Sequence, residues 1–216
     1  MPARLVVLAS GTGTTLQAII DAAAGPHVGS AAGPHADSAA GPLIDAAAGP
    51  LPARIALVGS DRPQCQALRR AESAGIEAFA EPLPRGADRA ARDAWNDRIA
   101  ARVAAAQPDL VLLAGFMRVL NPAFVRRFRI LNTHPSLLPA FPGAHAIRDA
   151  LNAGVRVSGV TVHWVDEGLD TGRILAQRAV DVVPGDDEDS LRERIQAVEK
   201  PLYIDTIRAV LGGLPL

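Results

Sequence analysis

The amino-acid sequence predicts an α/β fold: a mostly parallel twisted sheet with helices on both faces and an antiparallel strand pair towards the C-terminus. Three observations point there. Short apolar runs alternate with stretches of helical spacing from Arg4 to Gly154, the signature of βαβ units with right-handed crossovers. Two further strand-like runs, 157–166 and 173–183, are joined by only six residues, too few for a parallel crossover. The 216 residues are 49% hydrophobic and 21% charged, enough to bury a core and too apolar for global disorder.

Taken in order, RLVVLAS (4–10) reads as a buried strand rich in Leu and Val. TTLQAIIDAAA (14–24) reads as a helix with Leu16, Ile19 and Ile20 on one side. RIALVGS (54–60) is a second strand, and QCQALRRAESAG (64–75) a helix closed by Gly75. IEAFA (76–80) is a short third strand, followed by a long helix over 88–106 that Pro108 stops. DLVLLAG (109–115) is the most apolar strand and is expected at the centre of the sheet. NPAFVRRF (121–128) is a short helix with proline in its first turn, RILNT (129–133) a strand, and AHAIRDALNAG (144–154) a helix. The last helix, 186–213, opens with acidic residues where the dipole favours them, and Pro201 is expected to kink or divide it.

One segment stands outside this pattern. AAGP recurs at 23–26, 31–34, 39–42 and 47–50, a period of eight residues with a Gly-Pro break in every unit. A helix cannot run through it and it has little to bury, so 25–52 is read as an expanded, low-complexity surface loop. Its His27, His35 and Asp37 are too sparse to be a metal tract.

Composition narrows the function. A formal net charge of −1 gives no basic face for nucleic acid. The single cysteine, Cys65, allows no intramolecular disulfide and reads as a small packing residue in a reducing cytoplasm. The N-terminal apolar run is too short for a signal peptide, and no run approaches the roughly 18 apolar residues of a membrane span. There is no Cys/His cluster, no HExxH and no G-x-S-x-G elbow, so no metal is expected and a serine hydrolase is disfavoured.

Three stretches could carry chemistry. In ASGTGTTLQ (9–17), glycines sit between a strand and a helix, where backbone N–H groups can face an anion. Leu16 occupies the third small-residue position of a dinucleotide fingerprint and the phosphate-loop lysine is missing. The stretch therefore supports a phosphate cradle or a tight strand–helix turn. In ILNTHPSLLPAFPG (130–143), Asn132 and His134 lie where a strand ends, and residues two apart on an extended chain point the same way. Pro135 holds His134 out of the helical region, and the prolines that follow stiffen the loop. In VHWVDEGLDTGRIL (162–175), Asp166, Glu167 and Asp170 crowd a glycine-containing loop, and a carboxylate there could hold an imidazole's charge or tautomer. His163, on the alternating strand, reads as structural.

AGFMRVLNPAF (114–124), LNTHPSLLPAFPGAH (131–145) and VHWVDEGLDTGRILAQ (162–177), in this order, resemble the signature segments of the folate-dependent glycinamide ribonucleotide formyltransferases of purine synthesis. The resemblance covers about 4–24 and 53–212. It implies a Rossmann-like formyltransferase fold, one domain over 1–216 with a phosphate-binding half (1–130) and a catalytic and folate half (131–216). It implies transfer of a formyl group from the co-substrate 10-formyltetrahydrofolate to the amine of glycinamide ribonucleotide, with Asn132, His134 and Asp170 catalytic. Gly11, Thr12, Gly13, Thr14 and Thr15 would hold the ribonucleotide phosphate, with Pro135 and Glu199 also on that substrate. Met117, Arg118, Val119 and Leu120 would form one edge of the folate pocket and Val165, Asp166 and Asp170 another, with Arg92 near the folate's glutamate tail. The enzyme is then expected to be a cytoplasmic monomer or homodimer acting on small molecules, without nucleic acid or membrane.

The chain departs from the family's pattern in places. Thr15 stands for a familiar Asn, the segment between AFV and LNTHP is about two residues short, and Arg173 stands for a frequent Pro. A formyltetrahydrofolate hydrolase would use the same three side chains on water. That family carries an N-terminal regulatory domain, for which there is no room before the strand beginning at Arg4. A methionyl-tRNA formyltransferase would need a basic C-terminal domain beyond Leu216, and a non-catalytic nucleotide-binding module would need only SGTGTTL.

Overall fold

The computed structural model describes residues 1–25 and 49–213. The central repeats of the octad insert, with His27, His35 and Asp37, lie outside those residues. Every expected element is present. In chain order they are β1 (Ala3–Leu8), α1 (Thr14–Ala24), β2 (Ala53–Ser60), α2 (Gln66–Ser73), β3 (Ala78–Ala80), α3 (Arg89–Ala105) and β4 (Leu110–Leu113). There follow α4 (Pro122–Arg127), β5 (Ile130–His134), α5 (Ala146–Asn152), β6 (Val157–Trp164), β7 (Ile174–Asp181) and α6 (Glu188–Leu211).

The strands form one seven-stranded sheet in the order β3-β2-β1-β4-β5-β6-β7. β4, the most apolar, is its central strand, as its composition leads one to expect. The pairs from β3 to β5 are parallel. β6 is antiparallel both to β7, as its short link requires, and to β5.

Alternation along the central strands explains their unbroken apolar sequences. Leu5 and Val7 of β1 join the core beneath α1, α2, α5 and α6, whereas Val6 and Leu8 join the core beneath α3 and α4. β4 divides in the same way, Leu110 and Leu112 to one side and Val111 and Leu113 to the other. Both faces are thus covered, and ligands are left the crevice at the strands' carboxyl ends.

Two expectations need correction. Pro201 does not divide α6, which runs from Glu188 to Leu211. A proline inside a helix costs about 3 kcal/mol. Leu202, Tyr203 and Ile207 are buried just beyond it, and burial of each such side chain contributes about 2 kcal/mol. Pro201 and Ala197, whose carbonyl loses its partner, both face solvent, where water can replace the lost bond. The insert is also shorter than 25–52. Leu51 is 3% exposed and its N–H donates to the Ala22 carbonyl, so the chain is back in the core before β2 starts.

The ends of the insert meet: a Cβ on Gly25 would lie 3.4 Å from that of Pro50. A chain lacking residues 27–48 therefore needs only a short link. We expect its far-UV circular dichroism per residue to match a seven-stranded α/β protein, with Tm moved by less than about 4 °C. A larger loss of stability would mean that the insert is a structural part of the fold.

Candidate active site

β5 delivers the first two polar groups. Ile130 lies in the core beneath α3 and α4, so Asn132 and His134, two and four residues on, share its face at the strand's carboxyl end. Both line a cavity of roughly 960 Å³, its open mouth included, between the loop after β4 and the loop after β6. The loop behind them is tied down. The Ser136 hydroxyl donates to the Ala140 carbonyl, the Leu138 N–H donates to Thr161 Oγ1, and Leu138–Pro139 is a cis peptide. α4 reaches β5 through Phe128 and Arg129 alone, and Phe128 packs on Phe124 at 4.9 Å. The short segment therefore still delivers Asn132 into the cavity.

The loop after β6 supplies the carboxylate and sorts the three acidic residues. Asp166 Oδ1 accepts from the Gly168 N–H and the Thr171 hydroxyl, which shapes the loop. Glu167 pairs outward with Arg126 at 2.6 Å. Asp170 turns towards His134. Its φ of 55° is the left-handed conformation that a non-glycine residue rarely adopts, and the Gly143 N–H donates to its Oδ2 at 2.8 Å. The same Oδ2 lies 3.5 Å from His134 Nδ1. His134 Nε2 lies 2.8 Å from the Phe141 carbonyl, which can only accept, so Nε2 carries a hydrogen. Asp170 thus faces the other ring nitrogen, Nδ1.

His163 also belongs to the site, contrary to its reading as structural. It pairs with Asn132 across the antiparallel β5–β6 register and is 2% exposed. Its Nδ1 lies 2.9 Å from the Trp164 carbonyl and must donate to it. In the neutral ring Nε2 is then an acceptor, and it meets Asn132 Nδ2 at 3.1 Å. This sets the Asn132 amide: one N–H goes to His163 and the other remains for the cavity. His163 Nε2 is also 3.7 Å from Asp170 Oδ1. Gly172 protects the anchor, because a Cβ there would collide with the Trp164 carbonyl. Burial pushes the His163 pKa below its ordinary value, outweighing the Trp164 carbonyl and Asp170, which raise it. The signal in the sequence was the register: had β5 been paired antiparallel with β6, His163 would have fallen opposite Asn132.

The other residues singled out in the sequence divide into two groups. Met117, Arg118, Val119, Leu120, Pro135, Val165 and Asp166 line the cavity with Asn132, His134 and Asp170. Gly11, Thr12, Gly13, Thr14 and Thr15 form the β1–α1 turn beside it; Ser10, just before, accepts from the Met117 N–H at 3.0 Å. No side chain caps α1. Gly13 has φ 71°, and a Cβ on it would lie 2.7 Å from Ala67 Cα, so it serves the packing of α1 on α2 rather than close approach by an anion. Space is open at Gly11. Glu199 does not reach the cavity wall. It is buried behind the turn, accepts from the Thr15 hydroxyl at 3.0 Å, and has its pKa raised by burial. Arg92 is exposed on α3, away from the lining. Among the described residues no group of three or more His, Cys, Asp or Glu could hold a metal ion, and no helix is long and apolar enough to cross a membrane.

Comparison with known proteins bears on this arrangement. The family described as formyl transferase matches residues 3–207. A phosphoribosylglycinamide formyltransferase of Mycobacterium tuberculosis is 48% identical over 211 residues, 97% of this chain and 85% of the relative. The solved glycinamide ribonucleotide transformylase 1 of Symbiobacterium toebii superposes with a TM-score of 0.81 at 40% identity, covering 98% of this chain and 88% of the other. That of Geobacillus kaustophilus gives 0.79 at 41% identity, covering 98% and 100%.

The lowered pKa of His163 makes stability depend on pH. The unfolded chain binds a proton near pH 6.5 that the folded ring resists, so stability is complete above that value and falls as pH drops below it. We expect His163→Gln, which keeps an acceptor for Asn132, to reduce this slope between pH 7.5 and pH 5.5 in thermal melts. An unchanged slope would mean that other groups set it.

Proposed function

The chain belongs to the formyl transferase family, and from that premise we propose that it moves the formyl group of 10-formyltetrahydrofolate to the amine of glycinamide ribonucleotide. The observation that carries the reading is the convergence of the Asn132 amide, the His134 ring and the Asp170 carboxylate in one cavity. The amine attacks the formyl carbon and its carbonyl oxygen becomes an oxyanion. The free N–H of Asn132 donates to that oxygen, and a protonated His134 stabilises the same charge. The carbon–nitrogen bond to the folate then breaks. The proton given up by the amine passes to the departing folate nitrogen, with His134 and Asp170 ordering its path. No covalent enzyme intermediate is required, so the rate depends on how firmly the donors are held.

The ribonucleotide phosphate is assigned to the turn at Gly11–Thr15. The uncapped N-terminus of α1 offers backbone N–H groups and the positive end of a helix dipole. The folate is assigned to the walls formed by 117–120 and 165–170, with Pro135 beside the shared reaction centre. We read the chain as one domain in which residues 1–130 supply the phosphate cradle and 131–216 the catalytic groups. Arg92 serves the folate only if a long tail runs out over α3, and Glu199 acts on the ribonucleotide through Thr15. The small polar substrates and the lone Cys65 suit the cytoplasm. The names of the relatives favour the amine over water as acceptor, so a hydrolase is not favoured.

The test is release of tetrahydrofolate from 10-formyltetrahydrofolate, followed by absorbance. We expect release to require glycinamide ribonucleotide; equal release in water alone would establish the hydrolase. Asn132→Ala should lower kcat by about two orders of magnitude, the usual cost of one oxyanion donor. An Asn132→Ala enzyme with full activity would remove the amide from the mechanism.

A further inference from the structure

We propose that Asp61 is a positioning residue for the folate wall: through Arg118 it fixes the shape of residues 115–120. The inference rests on the assignment of that wall to the folate. Asp61 follows the last residue of β2, at the carboxyl edge of the sheet, and is 4% exposed. Its Oδ2 accepts from Arg118 Nε at 2.7 Å. Its Oδ1 is buried without a partner among the described residues. Arg118 belongs to the loop leaving β4, and β1 lies between β2 and β4. The ion pair therefore reaches over the end of β1 to the loop that lines the cavity.

The loop has further ties, and each comes from a different element. The Met117 N–H donates to Ser10 Oγ after β1, and the Asn121 N–H donates to Asn96 Oδ1 on α3. Phe116 and Leu120 are buried in the core beneath α3 and α4 and anchor the ends of the stretch, whereas Met117 and Val119 are 62% and 78% exposed, so apolar packing leaves its middle, where Arg118 lies, unheld. Asp61 is the charged tie. A buried carboxylate with one oxygen unpaired is a poor stabilising device, since apolar replacements of buried ion pairs are often neutral or better. What the pair contributes is orientation. Arg118 Nε is engaged by Asp61, the guanidinium plane is set, and residues 118–120 line the cavity in one arrangement.

The test separates the two substrates. For Asp61→Asn we expect KM for 10-formyltetrahydrofolate to rise about tenfold, the effect of losing one charge-assisted bond. KM for glycinamide ribonucleotide and kcat should stay within about twofold. Asp61→Leu removes the buried carboxylate and leaves Arg118, whose side chain is 39% exposed, to solvent, so it should fold with Tm near wild type and show the same raised folate KM. This second protein keeps the test decisive if Asp61→Asn alone fails to fold. A folded variant with wild-type folate KM, or with both KM values raised together, overturns the proposal. Absence of ribonucleotide-dependent release in the wild type would instead overturn the functional reading, which is a separate outcome.

Discussion

The site depends on one cross-strand contact, the Asn132 amide against His163 Nε2 at 3.1 Å. An amide in a cavity wall can point either end outward, and only the N–H end can meet an oxyanion. The choice is made further back. The Trp164 carbonyl takes the His163 Nδ1 hydrogen, burial keeps the ring neutral, and Nε2 is left as an acceptor. Antiparallel pairing of β5 with β6 places the two residues opposite each other, and Gly172 leaves room for the carbonyl. This explains why a sheet otherwise parallel reverses a strand beside the reaction centre. A strand running the other way brings its own alternating side chains to the same point.

The prolines after His134 and the strain at Asp170 serve the same end by different means. Pro135 restricts His134, and the Ser136 and Thr161 hydroxyls tie the loop that carries the Phe141 carbonyl. His134 is thereby held at Nε2 and faces Asp170 at Nδ1. Asp170 sits at φ 55°, a conformation that costs about 1–3 kcal/mol in a residue of this kind. The Gly143 N–H on its Oδ2 helps keep it there. The loop before the site and the loop after it thus brace each other across the cavity.

The fold was legible because its signals are local. Unbroken apolar runs such as LVLL in β4 mean burial on both faces, and the nine residues between β6 and β7 permit only a hairpin-like return. Asn132, His134 and Asp170 were legible through strand alternation and through the resemblance to known formyltransferases. What was not legible depends on distant pairing. His163 acquires its role from the register with β5, Asp61 from an arginine in another loop, and Glu199 from Thr15 on α1. Gly13 sits in the turn whose N–H groups could face an anion, but its neighbour is Ala67 of α2, which no local pattern indicates. Pro201 leaves α6 undivided because tertiary burial on both sides outweighs one lost solvent-side bond.

α6 shows how the two halves of the chain are kept in register. Glu199 and Tyr203 lie one turn apart on its buried side. Glu199 accepts from Thr15 in the first turn of α1, and the Tyr203 hydroxyl lies 3.2 Å and 3.0 Å from the carbonyls of Leu113 and Leu131 in β4 and β5. Buried polar groups are costly unless satisfied, so these bonds admit few alternative seatings of the helix. The apolar contacts of Leu191, Ile195, Leu202 and Ile207 supply attraction but tolerate sliding. The polar pair fixes where α6 stops. It thereby relates the turn that opens α1 to the strand that carries Asn132.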